Sequence, residues 1–276
     1  MNGLNDWNDW NDWNQSFLMQ RGFFPGSVDY EGPMSRDFNA GRAISSHSAA
    51  VWRAALEPHI GQANNVLDLG SGTGRFAVLI AEWFGANVIG IEPAGAMREV
   101  AATSGRHAKV FYVAGRAEQL PLREMSLTAA LLSNVYHHVA DRRSCASELH
   151  RVLRPDGRVL IRGVFARRLG EITMFDHFPE AKAVCEQFPT MEETVRTFTE
   201  AGFEFEAIDR VVQQICSGLK ELATRTRLRA DTTLALMSDE QFSARQAALE
   251  AAAARETEPT PVAETLDLLV LRKVAK

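Results

Sequence analysis

One stretch of this chain is suited to holding a ligand with its backbone. Val66-Leu67-Asp68-Leu69-Gly70-Ser71-Gly72-Thr73-Gly74 runs an apolar segment into glycines at every second position. Glycine has no Cβ, so the backbone at Gly70, Ser71, Gly72 and Gly74 can come close to a bound molecule. A dinucleotide fingerprint would place its third glycine at position 75, where this chain has Arg75. The spacing argues against a pyrophosphate cradle and for a smaller ligand lying across the strand end. Asp68 brings a carboxylate to the same spot. Glu92 and Pro93 close the next apolar run. A carboxylate ending a second parallel strand can accept hydrogen bonds from two adjacent ribose hydroxyls.

A second group follows the fourth apolar run: Asn134, Val135, Tyr136, His137 and His138. An imidazole there can take a proton from an O–H or N–H acceptor, and His137 is the candidate base. The competing assignment is an imidazole that caps a helix or packs beneath the loop. No metal site is expected, because adjacent histidines diverge and no carboxylate stands at helical spacing before them. There is no Gly-x-Ser-x-Gly elbow either.

These residues need elements to position them. Residues 36–56 have helical spacing. Strands are expected over 65–69, 87–91, 109–114, 127–134 and 158–165. Helices are expected between them, over 75–84, 94–103 and 142–153. Such alternation predicts a parallel sheet with right-handed crossovers, binding ligands beyond the carboxyl ends of its strands. After Phe165 the rhythm breaks into an irregular helical insert over 166–190. A helix follows over 194–201, then a strand over 203–215 and a mostly helical stretch over 217–256. Glu258-Pro259-Thr260-Pro261 reads as a linker, and 265–274 as a last, antiparallel strand.

Composition narrows the function. The chain has 276 residues, 46% of them hydrophobic and 24% charged, which is ordinary globular usage. Its net charge of -5 is no footprint for nucleic acid and no polybasic membrane anchor. No apolar window reaches the roughly eighteen residues of a membrane span, and the first residues do not read as a signal peptide. Three widely separated cysteines, Cys145, Cys185 and Cys216, make neither a disulfide framework nor a metal knuckle. A cytoplasmic protein with a small-molecule partner is expected.

The chain resembles the class I S-adenosylmethionine-dependent methyltransferases. The residues that carry the resemblance are Asp68 to Gly74, then Glu92, then Gly115-Arg116-Ala117-Glu118-Gln119-Leu120-Pro121-Leu122, then Leu153-Arg154-Pro155-Asp156-Gly157-Arg158. It covers about residues 36–215 and the last strand. It implies an α/β, Rossmann-like, doubly wound sheet of seven strands, mixed in direction, under a helical lid. It implies S-adenosyl-L-methionine as cofactor. Gly70, Gly72 and Gly74 would lie against the methionine and ribose, and Asp68 would organise the loop. Glu92 would hold the ribose hydroxyls, Met97 would pack on the adenine, and the Ala117 N–H would meet the ring. The family usually has Asp where this chain has Arg116, which cannot accept a hydrogen bond. Glu118 is then the candidate partner for the adenine amine. Asn134 and Val135 would offer backbone oxygens to the methionine amine, and Arg42 would pair with its carboxylate.

The acceptor is expected to be apolar. Phe17, Phe23, Phe24, Tyr30, Phe38, Phe165, Met174, Phe175 and Phe178 suit a greasy lid, although an ordinary core explains most of them. An aromatic leader ahead of Ser35-Arg36-Asp37-Phe38-Asn39-Ala40-Gly41-Arg42 resembles small-molecule enzymes of bacterial secondary metabolism. It also resembles quinone and terpenoid carbon-methyltransferases, including the teleocidin type. Carbon methylation of an isoprenoid acceptor therefore ranks first, with Asp176 and Glu180 as candidate stabilisers of a carbocation. Oxygen or nitrogen methylation is the alternative. A non-catalytic cofactor-binding protein is a third reading, and a nucleic-acid enzyme is disfavoured by the charge and by Ser133-Asn134-Val135-Tyr136. The chain divides by expectation into an arm and lid over 1–58 and a methyltransferase domain over 59–276. Trp7, Trp10 and Trp13 recur every three residues, which on a helix makes one aromatic stripe. Such a stripe is expected to dock on a second subunit and give a homo-oligomer.

Overall fold

The computed structural model describes residues 26–275. The Trp repeat, Phe17, Phe23 and Phe24 lie outside these residues. Seven strands form one sheet: β1 (Asn65–Leu69), β2 (Asn87–Glu92), β3 (Val110–Ala114), β4 (Leu127–Ser133), β5 (Leu153–Gly163), β6 (Phe203–Cys216) and β7 (Val262–Lys273). Their order is β3-β2-β1-β4-β5-β7-β6. The first five pair in parallel, and β7 enters antiparallel between β5 and β6. The order reverses between β1 and β4, which opens a crevice at the carboxyl ends of those strands.

The sheet is apolar on both faces. Leu67, Leu69, Leu132, Ile161, Leu269 and Leu271 face one layer. Val66, Val88, Leu131, Leu160, Leu268 and Val270, their neighbours along the chain, face the other. Period-two geometry sends alternate side chains to opposite faces, so the unbroken apolar runs mark strands covered on both sides. One cover holds α5 (Arg142–Val152) and α8 (Met191–Glu200), through Leu149 and Phe198. The other holds α2 (Ser46–Ile60) and α3 (Arg75–Phe84), through Trp52, Leu56, Phe76 and Ile80. The helix α4 (Gly95–Ser104) completes the parallel half.

Several elements differ from the sequence reading. The leading helix is two helices, α1 (Met34–Gly41) and α2. Ser45 is extended and its side chain accepts from the Ser48 N–H, so a new N-cap starts there. Strand β5 begins at Leu153, ahead of the expected turn, because Leu127 pairs with Leu153 and Ala129 with Arg158. The turn is a bulge within the strand, with Asp156 at φ 62°. A capping box at Thr190 and Glu193 starts α8 three residues earlier than expected.

The long helical segment folds back as α9 (Leu219–Thr226), α10 (Thr232–Ala235) and α11 (Asp239–Arg255). It packs with α6 (Met174–His177) and α7 (Pro179–Cys185) from the insert. Phe178, Leu222, Leu234, Phe242 and Leu249 make this satellite core. It stands over the carboxyl end of the sheet as a lid. No described helix is long and apolar enough to cross a membrane.

Candidate active site

The glycine loop hangs from the end of β2. The N–H groups of Gly70 and Ser71 both donate to the Ile91 carbonyl, at 2.7 and 3.1 Å. Glu92 finishes the anchoring: Oε2 accepts from the Gly72 N–H and Oε1 from the Ala94 N–H, each at 2.9 Å. The three glycines do different work, and all have positive φ. A Cβ on Gly70 would strike Val135 at 2.2 Å, and one on Gly74 would strike the Tyr112 hydroxyl at 2.0 Å. A Cβ on Gly72 would meet nothing within 4 Å. Only Gly72 keeps its missing side chain as open space toward a ligand. Gly74 is not among the residues bordering the crevice, and its missing side chain admits Tyr112.

The crevice is one trough in two reaches. Asp68, Gly70, Ser71, Gly72, Arg75, Glu92, Pro93, Met97, Asn134 and Val135 border the inner reach. Gly70, Glu92, Pro93, Arg116, Ala117, Glu118 and Val135 border the outer one. The Asp68 carboxyl is buried, its Oδ2 has no hydrogen-bond partner among the described residues, and burial raises its pKa to about 7. Burial also raises the Glu92 pKa, against the two N–H groups that favour its charge. Glu118 is tied down: its Oε1 accepts from the Ala140 and Asp141 N–H groups at 3.2 and 3.4 Å, which bends it toward the start of α5.

A second chamber adjoins the trough across Tyr30, Phe38, Arg42 and Asn134. Its other walls include His137, Val164, Ile172, Met174, Phe175 and Phe188. It is a half-open hollow in which apolar surface outweighs polar. His137 is buried and stacks on Phe188, with centroids 4.1 Å apart and planes 6° apart. Burial, with the neighbouring His138, pushes its pKa well below the ordinary value, so the imidazole is neutral. His138 borders the trough instead, where its Nε2 lies 3.1 Å from the Tyr30 hydroxyl and 3.0 Å from Thr232 Oγ1. Burial lowers its pKa to about 4. The expected cap residues divide. Phe165 and Phe178 are core residues, Asp176 is exposed, and Glu180 pairs with Arg245 at 2.7 Å. Neither carboxylate borders a chamber.

Arg42 borders the trough, but its guanidinium is already engaged. Nη1 donates to Asp231 at 2.6 Å. With the Asn134 amide oxygen turned toward them, Arg42 Nη2 and Arg162 Nη1 both donate to it at 3.0 Å. Sequence reasoning missed Asp231, Thr232, Arg75 and Arg162, and gave Tyr30 no role beyond the lid. Arg75 carried a signal in standing directly after the glycine loop. Asp231 and Thr232 carried none, since they reach the site from the lid. Among the described residues no group of three or more His, Cys, Asp or Glu could hold a metal.

The trough fits S-adenosylmethionine on two observations of the chain itself. Gly72 leaves open space for close backbone approach, and the partnerless Asp68 oxygen awaits a donor such as an ammonium group. Residues 67–161 match the family described as a methyltransferase domain. That match and the seven-stranded sheet order together support a class I S-adenosylmethionine-dependent methyltransferase. Among its relatives is the O-methyltransferase resE of Aspergillus sclerotiorum, 31% identical over 188 residues. That match covers 62% of this chain and 66% of resE, so the chain spans just under two thirds of this curated relative's length. A protein described as a methyltransferase from an antibiotic biosynthesis pathway of Anabaena variabilis superposes with a TM-score of 0.68. It is 19% identical, with 83% of this chain and 100% of that one covered. The [4+2]-cyclase SpnF superposes at 0.59 and 18% identity, over 97% of this chain and 95% of its own. At such identities the likeness is one of fold.

Proposed function

We propose that this protein methylates an apolar small molecule with S-adenosylmethionine, at an O–H or N–H group whose proton His137 accepts. The observation that carries this reading is a buried, neutral imidazole opening on an apolar chamber beside the cofactor trough. When bound, the cofactor supplies an electrophilic methyl group on its sulfonium. Glu92 and Asp68 give the carboxylates for ribose and ammonium; Met97, Ala117 and Pro93 give the adenine wall. Tyr30 and Phe38 border both trough and chamber, and the chamber walls hold the acceptor in line with the methyl group. The relationship to an O-methyltransferase over most of this chain supports the acceptor type. The net charge of -5 supports a small molecule over nucleic acid, and three buried free thiols support a reducing, cytoplasmic setting.

The test is transfer of labelled methyl from the cofactor into small-molecule extracts, with wild type and His137→Ala compared. As a general base, His137 should be worth about 10²–10⁴-fold in turnover, with cofactor affinity kept. Carbon methylation of an isoprenoid alkene is the second reading, favoured by the rings of Phe38, Phe175 and Phe188 around the chamber. It predicts a loss below about tenfold for His137→Ala, since alkene attack needs no base at the first step. Binding of S-adenosylhomocysteine without methyl transfer into any extract would leave a cofactor-binding protein.

A further inference from the structure

The function proposed above leaves one cation unused. Arg75 opens α3, and its guanidinium lies 5.9 Å from the rings of both Phe38 and Phe76. Its Nε is shut off from solvent without a hydrogen-bond partner, and it has no ion pair among the described residues. The side chain nonetheless borders both the trough and an inner hollow beside Gly41 and Arg42 at the end of α1. Burial pulls its pKa down to about 9, which still leaves it charged at pH 7. A desolvated charge without a directly hydrogen-bonded partner is unfavourable, and proteins rarely keep one without use.

The other arginines of that chamber each make direct hydrogen bonds, although the Arg162 Nε is also buried without a partner. Arg42 pairs with Asp231, and Arg225 with Glu221 at 2.5 Å. Arg162 donates to Ser133 at 3.1 Å and to Gln213 at 3.0 Å, and Gln213 passes the charge on by donating to Glu264 at 2.8 Å. Trp52 and Phe76 cover the Arg162 guanidinium at 4.3 and 4.8 Å. Arg75 has no such direct partner; the Asp68 and Glu264 carboxylates favour its charge from a distance, without a hydrogen bond or ion pair to it among the described residues. Arg42, Met174, Ala230, Asp231 and Glu264 are shared with the apolar chamber that holds His137, so the inner chamber continues it.

We propose that Arg75 is an anion subsite for the acceptor, and that the molecule methylated is a monocarboxylic acid whose apolar body extends toward Met174, Phe175 and Phe188. A buried guanidinium with no direct partner favours an anionic ligand group, and its planar fork matches a carboxylate. The assignment rests on the methyltransferase reading and on the His137 chamber as acceptor site. The same chemistry has a second source, the carboxylate of the cofactor's methionine, because Arg75 also borders the trough.

Three titrations of the full-length protein separate these cases, using wild type, Arg75→Met and Arg75→Lys. Wild type should bind S-adenosylhomocysteine; failure there removes the methyltransferase reading itself. The cofactor-saturated wild type should bind decanoate at least about tenfold tighter than decan-1-ol, the difference expected of a charge-assisted pair. Arg75→Met should abolish that preference, with any change in affinity shared equally by S-adenosylhomocysteine and its decarboxylated form, while Arg75→Lys keeps part of the preference. Its melting temperature should equal or exceed that of wild type, since an unpaired charge has left the interior. Equal binding of decanoate and decan-1-ol by wild type overturns the subsite. So does a loss of about tenfold or more in S-adenosylhomocysteine affinity in Arg75→Met, with decarboxylated S-adenosylhomocysteine unaffected. That result gives Arg75 to the cofactor.

Discussion

Asp68 shows how placement alone sets the chemistry of a side chain. Its position between Leu67 and Leu69 on the central strand takes it out of water, and burial raises its pKa from 3.8 to about 7. Between those values the folded protein holds a proton that the unfolded chain has released. The carboxyl's contribution to stability is therefore greatest at the acid end and is lost as pH rises to about 7. Ligand binding should run the other way, because an ammonium group favours the ionised form. Affinity for S-adenosylhomocysteine should rise between pH 6 and 8 in wild type and stay flat in Asp68→Asn. Calorimetry across that range checks it, and equal pH slopes in the two proteins would remove Asp68 from the amine site. Asp68 itself could be read from its place before the glycines. Its protonation could not, since that depends on what packs around it.

At the scale of elements, the β1 turn into α3 divides its tasks among its glycines. Gly74 sits at φ 80° with the Tyr112 hydroxyl in the place of a Cβ, and Gly72 at φ 53° with open space. Gly74→Ala should cost about 1–3 kcal/mol from strain, plus the displacement of Tyr112. Gly72→Ala carries the milder left-handed penalty of about 1–2 kcal/mol but puts a methyl group into the trough. Thermal melts should therefore rank Gly74→Ala as the less stable protein. Titration with S-adenosylhomocysteine should rank Gly72→Ala as the weaker binder, by about tenfold or more. Melting and binding that fall together in both variants would mean the loop acts only as a turn. The turn itself was plain from glycine spacing. Which glycine faces the ligand was not, because Tyr112 arrives from another strand.

At the scale of the whole molecule, the lid closes the site from both directions along the chain. Tyr30 donates to or accepts from Thr232 across 202 positions at 2.9 Å, and Arg42 reaches Asp231 across 189. Glu31 takes the N–H groups of Gly95 and Ala96 at 2.7 and 2.8 Å, latching the leader to α4 beside the trough. The residues ahead of Gly26 thus lead directly into a wall of the active site. If the Trp7, Trp10 and Trp13 repeat docks on a second subunit, deleting residues 1–15 should lower the mass measured by light scattering and weaken acceptor binding. Unchanged mass with full activity would end that assignment.

The sequence by itself determined what is local. Alternating apolar runs, glycine turns and capping residues act over a few positions, so strand and helix order and the glycine turn after β1 were readable from residue types and spacing. The tertiary structure decided what depends on distant segments meeting. The break between α1 and α2, the folding of α9 to α11 onto the insert, and the insertion of β7 beside β5 are set by which apolar faces find cover. The same holds at the site. Arg42 looked available for a carboxylate, and Asp231 engaged it. Arg75 looked like the first residue of a helix, and the lack of a direct hydrogen-bonded partner among the described residues marked it out. Charge on a side chain is a property of the residue, but its compensation is a property of the fold, because the partners come from segments that only packing brings together.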